Sequence, residues 1–240
     1  MDSVFKKTDK DIQSIRCSHF LHHLYSEVLN RTAVEILVRI LDKSDVFVFS
    51  GVIRDYFVDR RKQHRDLDLV LEHNINWLPI YRSYRKQINV KINSYGGFKV
   101  RIGELNVDVW TMERTWGLMK KGVKITPRNL IRTAFFNFSA ITYSIRHQRF
   151  YAHSSFIDFL NNPEIGIVYK ENPNIPLCIL NSMHYGNILK MPLSMELKKW
   201  ILTHYSMFDD YRTPQMRHWG KAIYNQTEIR AFISQCERGV

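Results

Sequence analysis

Hydrophobic positions change their spacing several times along the chain. Ile12, Ile15, Phe20, Leu21 and Leu24 recur at helical intervals, as do Val34, Leu37, Ile40 and Leu41, so residues 10 to 43 predict helices. Asn30 and Thr32 offer capping chemistry between them. Val46 to Phe49 is an unbroken β-branched and aromatic run closed by Ser50-Gly51, which predicts a buried strand entering a tight turn. Val52, Ile53, Tyr56 and Phe57 return to helical spacing. A basic loop, Asp59 to Arg65, then leads into Asp66-Leu67-Asp68-Leu69-Val70-Leu71, which alternates as a strand. Residues 75 to 87 predict another helix. Residues 90–92, 97–102 and 105–110 predict an antiparallel meander with turns at Gly96-Gly97 and Gly103-Glu104.

Further on, residues 115 to 127 (TWGLMKKGVKITP) predict a flexible basic loop, and Leu130 to Tyr143 an apolar helix. A hairpin is expected near Arg146 to Phe150. The remainder predicts helices broken at Pro163, Pro173, Pro176, Pro192 and Pro214. Helices, a mixed sheet, then helices make an α+β chain: a helical segment over 1–44, a sheet domain over 45–160 and a helical segment over 161–240.

Composition narrows the class. Of 240 residues, 45% are hydrophobic and 24% charged, which excludes a disordered or fibrous chain. The uncharged, apolar-leaning stretch Thr133 to Ile145 falls short of the roughly 20 residues that a membrane span needs. The lysines of MDSVFKKTDKDI precede no apolar core, so no secretory signal is expected. Cys17, Cys178 and Cys236 are far apart and form no Cys-x-x-Cys pair, so a reducing, cytoplasmic setting is expected. The ten histidines form no His-Glu-x-x-His zinc motif. Thirty-five Lys and Arg against 23 Asp and Glu leave a net charge of +12, which favours polyanionic partners.

The chemistry gathers around three acids. Asp66 and Asp68 stand two apart on one strand, so their side chains share a face about 7 Å apart while Leu67, Leu69 and Leu71 face the core. Two carboxylates on one face call for a cation between them, and Mg²⁺ suits carboxylates together with substrate phosphates. Asp108 alternates with Leu105, Val107 and Val109 in the same way. If its strand lies beside the first, the three acids can hold two metals about 3.5 to 4 Å apart. Upstream, a strand ends in Ser50-Gly51 at a helix start, where small residues let backbone N–H groups approach a phosphate. Arg54 stands one turn into that helix, within reach of Asp55, Asp66 or a phosphate. Arg60 to Arg65 flanks the acids and suits capture of a triphosphate or a primer backbone.

Taken together, VFVFSGVIRDYFVDRRKQHRDLDLVLE resembles the head-domain signature of the polymerase-β nucleotidyltransferase superfamily, nearest to CCA-adding enzymes and bacterial poly(A) polymerases. Ser50-Gly51 stands for that pattern's Gly-Gly, Arg54-Asp55 for its Arg-Asp, and Asp66 and Asp68 for its metal-binding pair. Val107 to Arg114 resembles the strand that carries the third acid and ends in an arginine. Phe136 to Tyr143 resembles the helix after the family's flexible loop.

The resemblance implies that residues 45–160 form a nucleotidyltransferase head and 161–240 a neck-like segment. It implies transfer of NMP or dNMP from an NTP or dNTP to a hydroxyl, with pyrophosphate released. Asp66, Asp68 and Asp108 would be catalytic and metal-binding, holding two Mg²⁺ ions, with Mn²⁺ as a substitute. Ser50, Gly51, Arg54, Arg65 and Arg114 would bind the nucleotide. The family's neck pattern, Glu-Asp-Pro-Leu-Arg-x-Leu-Arg, is matched by Asn174 to Asn181 with both acids and both arginines replaced. That departure points away from CCA addition. It favours a stand-alone enzyme of the toxin–antitoxin or antiphage kind, which makes oligonucleotides or modifies tRNA or a partner protein. The alternative is a catalytically silent module of the same fold that binds nucleic acid or protein.

Overall fold

The computed structural model describes residues 8–60, 66–93 and 96–240. Contacts divide the chain into two compact units. The first holds residues up to Ala134 together with Phe138–Asn161, and the second holds Phe135–Asn137 and Asn162–Val240. Among the described residues, no helix is long and apolar enough to cross a membrane.

The first unit opens with α1 (Asp9–His23), a π-helical turn and α2 (Arg31–Leu41). Asn30 starts α2 by accepting from Ala33 N at 2.9 Å, as its capping chemistry predicts. Ala33, Ile36, Leu37 and Ile40 are the buried stripe of that helix. β1 (Val46–Phe49), α3 (Gly51–Phe57), β2 (Asp66–Leu71), α4 (Leu78–Tyr84), β3 (Ile88–Ile92), β4 (Phe98–Ile102) and β5 (Leu105–Thr111) follow. After α5 (Trp116–Lys121) and α6 (Pro127–Leu130) come β6 (Ile141–Ser144), β7 (Arg149–Ala152) and α7 (Ser154–Asn161).

The seven strands form one mixed sheet in the order β3-β4-β5-β2-β1-β6-β7. All neighbours are antiparallel except β2 and β5, which run parallel with Asp68 opposite Asp108. The fold is α+β, with the expected antiparallel meander over β3 to β5. Alternation gives the sheet two distinct faces. On one face, Leu67, Leu69, Val107 and Val109 line an apolar cavity of about 360 Å³ together with Ile36 of α2 and Trp77 beside α4. Tyr143 is fully buried there against Phe20, at 4.9 Å between ring centres. The other face carries the acids. Its far end is closed where Leu118 of α5 and Leu130 of α6 pack on Phe47, Val70 and Met112.

Three expectations need correction. Residues 115–127 are not a loop throughout, since 116–121 form α5: Gly122, at φ +59°, ends it, and Lys120 and Lys121 sit in its last turn, where they complement the helix dipole. Gly117 lets α5 approach, since a Cβ there would lie 2.4 Å from Thr133 Cβ. Second, Leu130 to Tyr143 is not a helix. It breaks into short helical turns and β6, because Thr142 and Tyr143 find a ladder on β1. Third, Pro176 and Pro214 do not interrupt helices. Both sit in first turns, where no N–H is needed.

A buried acid that sequence reasoning passed over ties this unit together. Asp45 Oδ2 accepts from Ser144 Oγ at 2.6 Å, and its Oδ1 accepts from Val46 N and Arg146 N at 2.7 and 3.2 Å. It thereby pins the β6–β7 hairpin to the start of β1. Asp45→Asn turns one acceptor into a donor and is expected to cost about 1 to 2 kcal/mol. The readout is a lower urea midpoint with an unchanged m-value.

The second unit contains α8 (Ile175–Leu189), α9 (Met195–Tyr205), α10 (Arg212–Trp219) and α11 (Gln226–Arg238). Asn174 caps α8 and Ser194 caps α9, while Asn225 and Glu228 form a capping box on α11. Buried Gln215 fastens the loop before α11 by accepting from Ile223 N and Tyr224 N, each at 2.8 Å.

Candidate active site

The ladder fixes where each acid stands. One register row crosses the sheet as Lys91, Lys99, Asp108, Asp68, Phe49, Thr142 and Tyr151. Residues directly opposite share a face, so Asp68 and Asp108 project side by side from strands about 4.8 Å apart. Asp66 stands two rows along, on the same face, opposite Asn106, whose Nδ2 donates to Asp66 Oδ1 at 3.1 Å. Asp66 is exposed, whereas Asp68 and Asp108 are partly buried.

The electrostatics of the pair are unfavourable as it stands. Burial pushes the Asp68 carboxyl up to about 7; the charges of Asp108 and Asp66 add to the rise, and Lys99 and Arg54 pull against it. Lys99 Nζ lies 3.5 Å from Asp108 Oδ2. Asp108 Oδ1 is buried with no hydrogen-bond partner. A carboxylate oxygen in that condition is costly unless a cation or donor joins it. Asp68 and Asp108 therefore fit a hard divalent cation with oxygen ligands. Among the described residues, no group of three or more His, Cys, Asp and Glu side chains is placed to enclose a metal. Unless Asp66 turns toward the pair, the remaining ligands would be water and substrate phosphate oxygens, the usual way in which Mg²⁺ is held.

The other predicted residues are placed unequally. Ser50 and Gly51 form the turn from β1 into α3. Ser50 N donates to Ile141 O at 3.1 Å, and Ser50 adopts φ +56° and ψ −98°, a conformation that favours glycine. A Cβ on Gly51 would meet no atom within 4 Å, so space is open there. Arg54 is buried, with Nε donating to Asp55 Oδ1 at 2.8 Å and its guanidinium 5.3 Å over the Phe138 ring. Arg114 turns to the β3–β4 turn, where Nη1 donates to Gly96 O at 3.0 Å. Arg65 and most of its basic loop lie outside the described residues.

Sequence comparison matches the chain to no family model and to no curated protein. Comparison of structures does find matches. A CCA-adding enzyme with CTP superposes at TM-score 0.64 and 12% identity, over 92% of this chain and 55% of that one. A tRNA-processing enzyme with CTP matches at 0.55 and 18%, over 71% of this chain and 46% of that one. A tRNA nucleotidyltransferase complexed with a primer tRNA and an incoming ATP analog matches at 0.54 and 18%, over 72% and 50%. The fold is that of the nucleotidyltransferases.

This chain spans about half the length of the solved nucleotidyltransferases it matches. On its nucleotidyltransferase fold, sequence reasoning missed Lys99 and Asn106, the direct neighbours of Asp108 and Asp66. The available signal was the alternation of Phe98-Lys99-Val100-Arg101-Ile102, which sends both cations to one face. Their pairing with the acids needed the register, which alternation alone does not give.

Proposed function

We propose that this chain is a metal-dependent nucleotidyltransferase, moving NMP or dNMP from a nucleoside triphosphate to a hydroxyl acceptor with release of pyrophosphate. The observation that carries the reading is the Asp68–Asp108 pair on adjacent parallel strands, with one buried carboxylate oxygen unmatched. Asp68 and Asp108 would hold the ions, Mg²⁺ or Mn²⁺, with Asp66 turning in from its row as a third ligand. A bound ion would neutralise charge on the transferring phosphoryl group. The acceptor oxygen attacks the α-phosphorus as the bond to the bridging oxygen of the β-phosphate breaks. The hydroxyl's proton passes to Asp108, and the electron pair leaves with pyrophosphate. Arg54, Ser50 and Gly51 would order the triphosphate end of the site. The nucleotides and primer tRNA named with the matched structures support a nucleotide donor.

The altered neck-like stretch, Asn174 to Asn181, supports an acceptor other than the one CCA addition uses. It favours a role of the toxin–antitoxin or antiphage kind, and three free cysteines suit a reducing, cytoplasmic setting. The test is incubation with Mg²⁺ and each labelled NTP or dNTP, with and without total tRNA, resolved on a gel. Label is expected in an acceptor or in a free ladder, and it disappears with chelator. A thermal shift by ATP that requires Mg²⁺ and Asp68 should accompany it. No product and no Mg²⁺-dependent shift would overturn the enzyme reading in favour of a silent binding module.

A further inference from the structure

The acid-bearing face continues past Asp108 onto β4 and β3, where its character reverses. Val90, Val100, Val107 and Leu67 form one register row lining the apolar cavity on the opposite face. Alternation therefore sends Lys91, Lys99 and Arg101 to the acid side, and all three are exposed. No acidic residue occurs on β3 or β4. Lys91 stands directly opposite Lys99, an arrangement that costs stability. Lysine on an edge strand also blunts aggregation, and β3 is the edge. That explains Lys91 alone, since β4 is an inner strand that needs no such protection.

We propose that Lys91, Lys99 and Arg101 bind backbone phosphates of a single-stranded nucleic-acid acceptor, leading its terminal hydroxyl to Asp108. The inference rests on the nucleotidyltransferase reading for the hydroxyl's fate, but the binding surface stands independently of it. From Asp108, Lys99 and then Lys91 run outward in steps of about 4.8 Å, strand by strand, and Arg101 stands about 7 Å from Lys99 along β4, opposite Asn106. Such a track is about 10 Å long and contacts two or three phosphates, which suits a strand end better than a long duplex. Lys99 joins the two regions, since it already lies 3.5 Å from Asp108.

The test is fluorescence anisotropy of a labelled, mixed-sequence single-stranded oligoribonucleotide with the full chain, titrated over salt without NTP or metal. Three phosphate contacts predict a slope of log affinity on log salt of about −2. Lys91→Ala/Arg101→Ala leaves Lys99 in place and is expected to reduce the slope to about −0.7 and low-salt affinity by about tenfold or more. Circular dichroism should show the double variant folded, as both side chains are exposed. Unchanged affinity and slope in that folded variant would overturn the proposal. So would label entering a partner protein while the oligonucleotide fails to bind. If the oligonucleotide binds through these cations but ATP with Mg²⁺ gives no shift, the transfer reading falls and the binding surface stands. If ATP binds and is turned over but the double variant binds oligonucleotide normally, the surface falls and the transfer reading stands.

Discussion

Asp68→Asn is expected to abolish nucleotidyl transfer while making the metal-free protein more stable at pH 8. Loss of a metal-holding carboxylate should lower transfer by about a thousandfold or more, equivalent to roughly 4 kcal/mol. The stability gain follows from the raised carboxyl, whose affinity for a proton moves from 3.8 to about 7 on folding. Between those values the folded protein holds the proton more tightly than the unfolded chain does. Metal-free wild type therefore loses stability as pH climbs from about 4 through 7. Asparagine carries no such charge. Allowing for the part of Asp68 that solvent reaches, the gain at pH 8 is on the order of 2 kcal/mol, or about 5 °C in Tm, and it vanishes near pH 4. Thermal melts of both proteins in chelator, at pH 4 and pH 8, check this. Equal melting at pH 8, or an active variant, would contradict the site as described.

The second large effect concerns Arg54. Its guanidinium and the Asp55 carboxylate are both nearly buried and bonded at 2.8 Å. Removing one member of such a pair leaves the other charged and desolvated, so Arg54→Met and Asp55→Leu are each expected to cost about 3 to 5 kcal/mol. Native domains hold only about 5 to 15 kcal/mol in all, so either variant should be visibly unstable. Arg54→Met/Asp55→Leu removes both charges and should recover most of the loss, a coupling read from urea unfolding. Activity would not return with stability, because Arg54 also lowers the affinity of Asp68 for its proton. A double variant no better than the sum of the singles would mean that the two side chains act separately.

Asp-Leu-Asp-Leu and Asn-Val-Asp-Val announced their strands and faces directly, because a period of two with acids on one side admits one reading. Their parallel adjacency did not show in composition. It depends on the crossover through α4, β3 and β4, and nothing local in either strand specifies it. Leu130 to Tyr143 misled for a physical reason: a largely apolar run suits a buried helix and a buried strand equally. Phe135 and Phe136, at its middle, pack in the second unit, with Phe135 against Trp200 at 4.9 Å. In TWGLMKKGVKITP the lysines and glycines suggested mobility, yet the same residues are C-terminal helix chemistry. Asp45 looks in sequence like surface charge. Its burial depends on partners as far as 101 positions away.

The strand order also bears on synthesis of the chain. β2 and β5 are complete once residue 111 exists, so the repelling carboxylates can meet while β1 still has β2 as its sole neighbour. The other side of β1, Val46-Phe47-Val48-Phe49, stays an unpaired apolar edge until β6 arrives some 94 positions later, with Thr142 bonding Val48 O. Nascent chains halted in that interval present a sticky template to one another, and they should aggregate where chains extended past residue 152 remain dispersed.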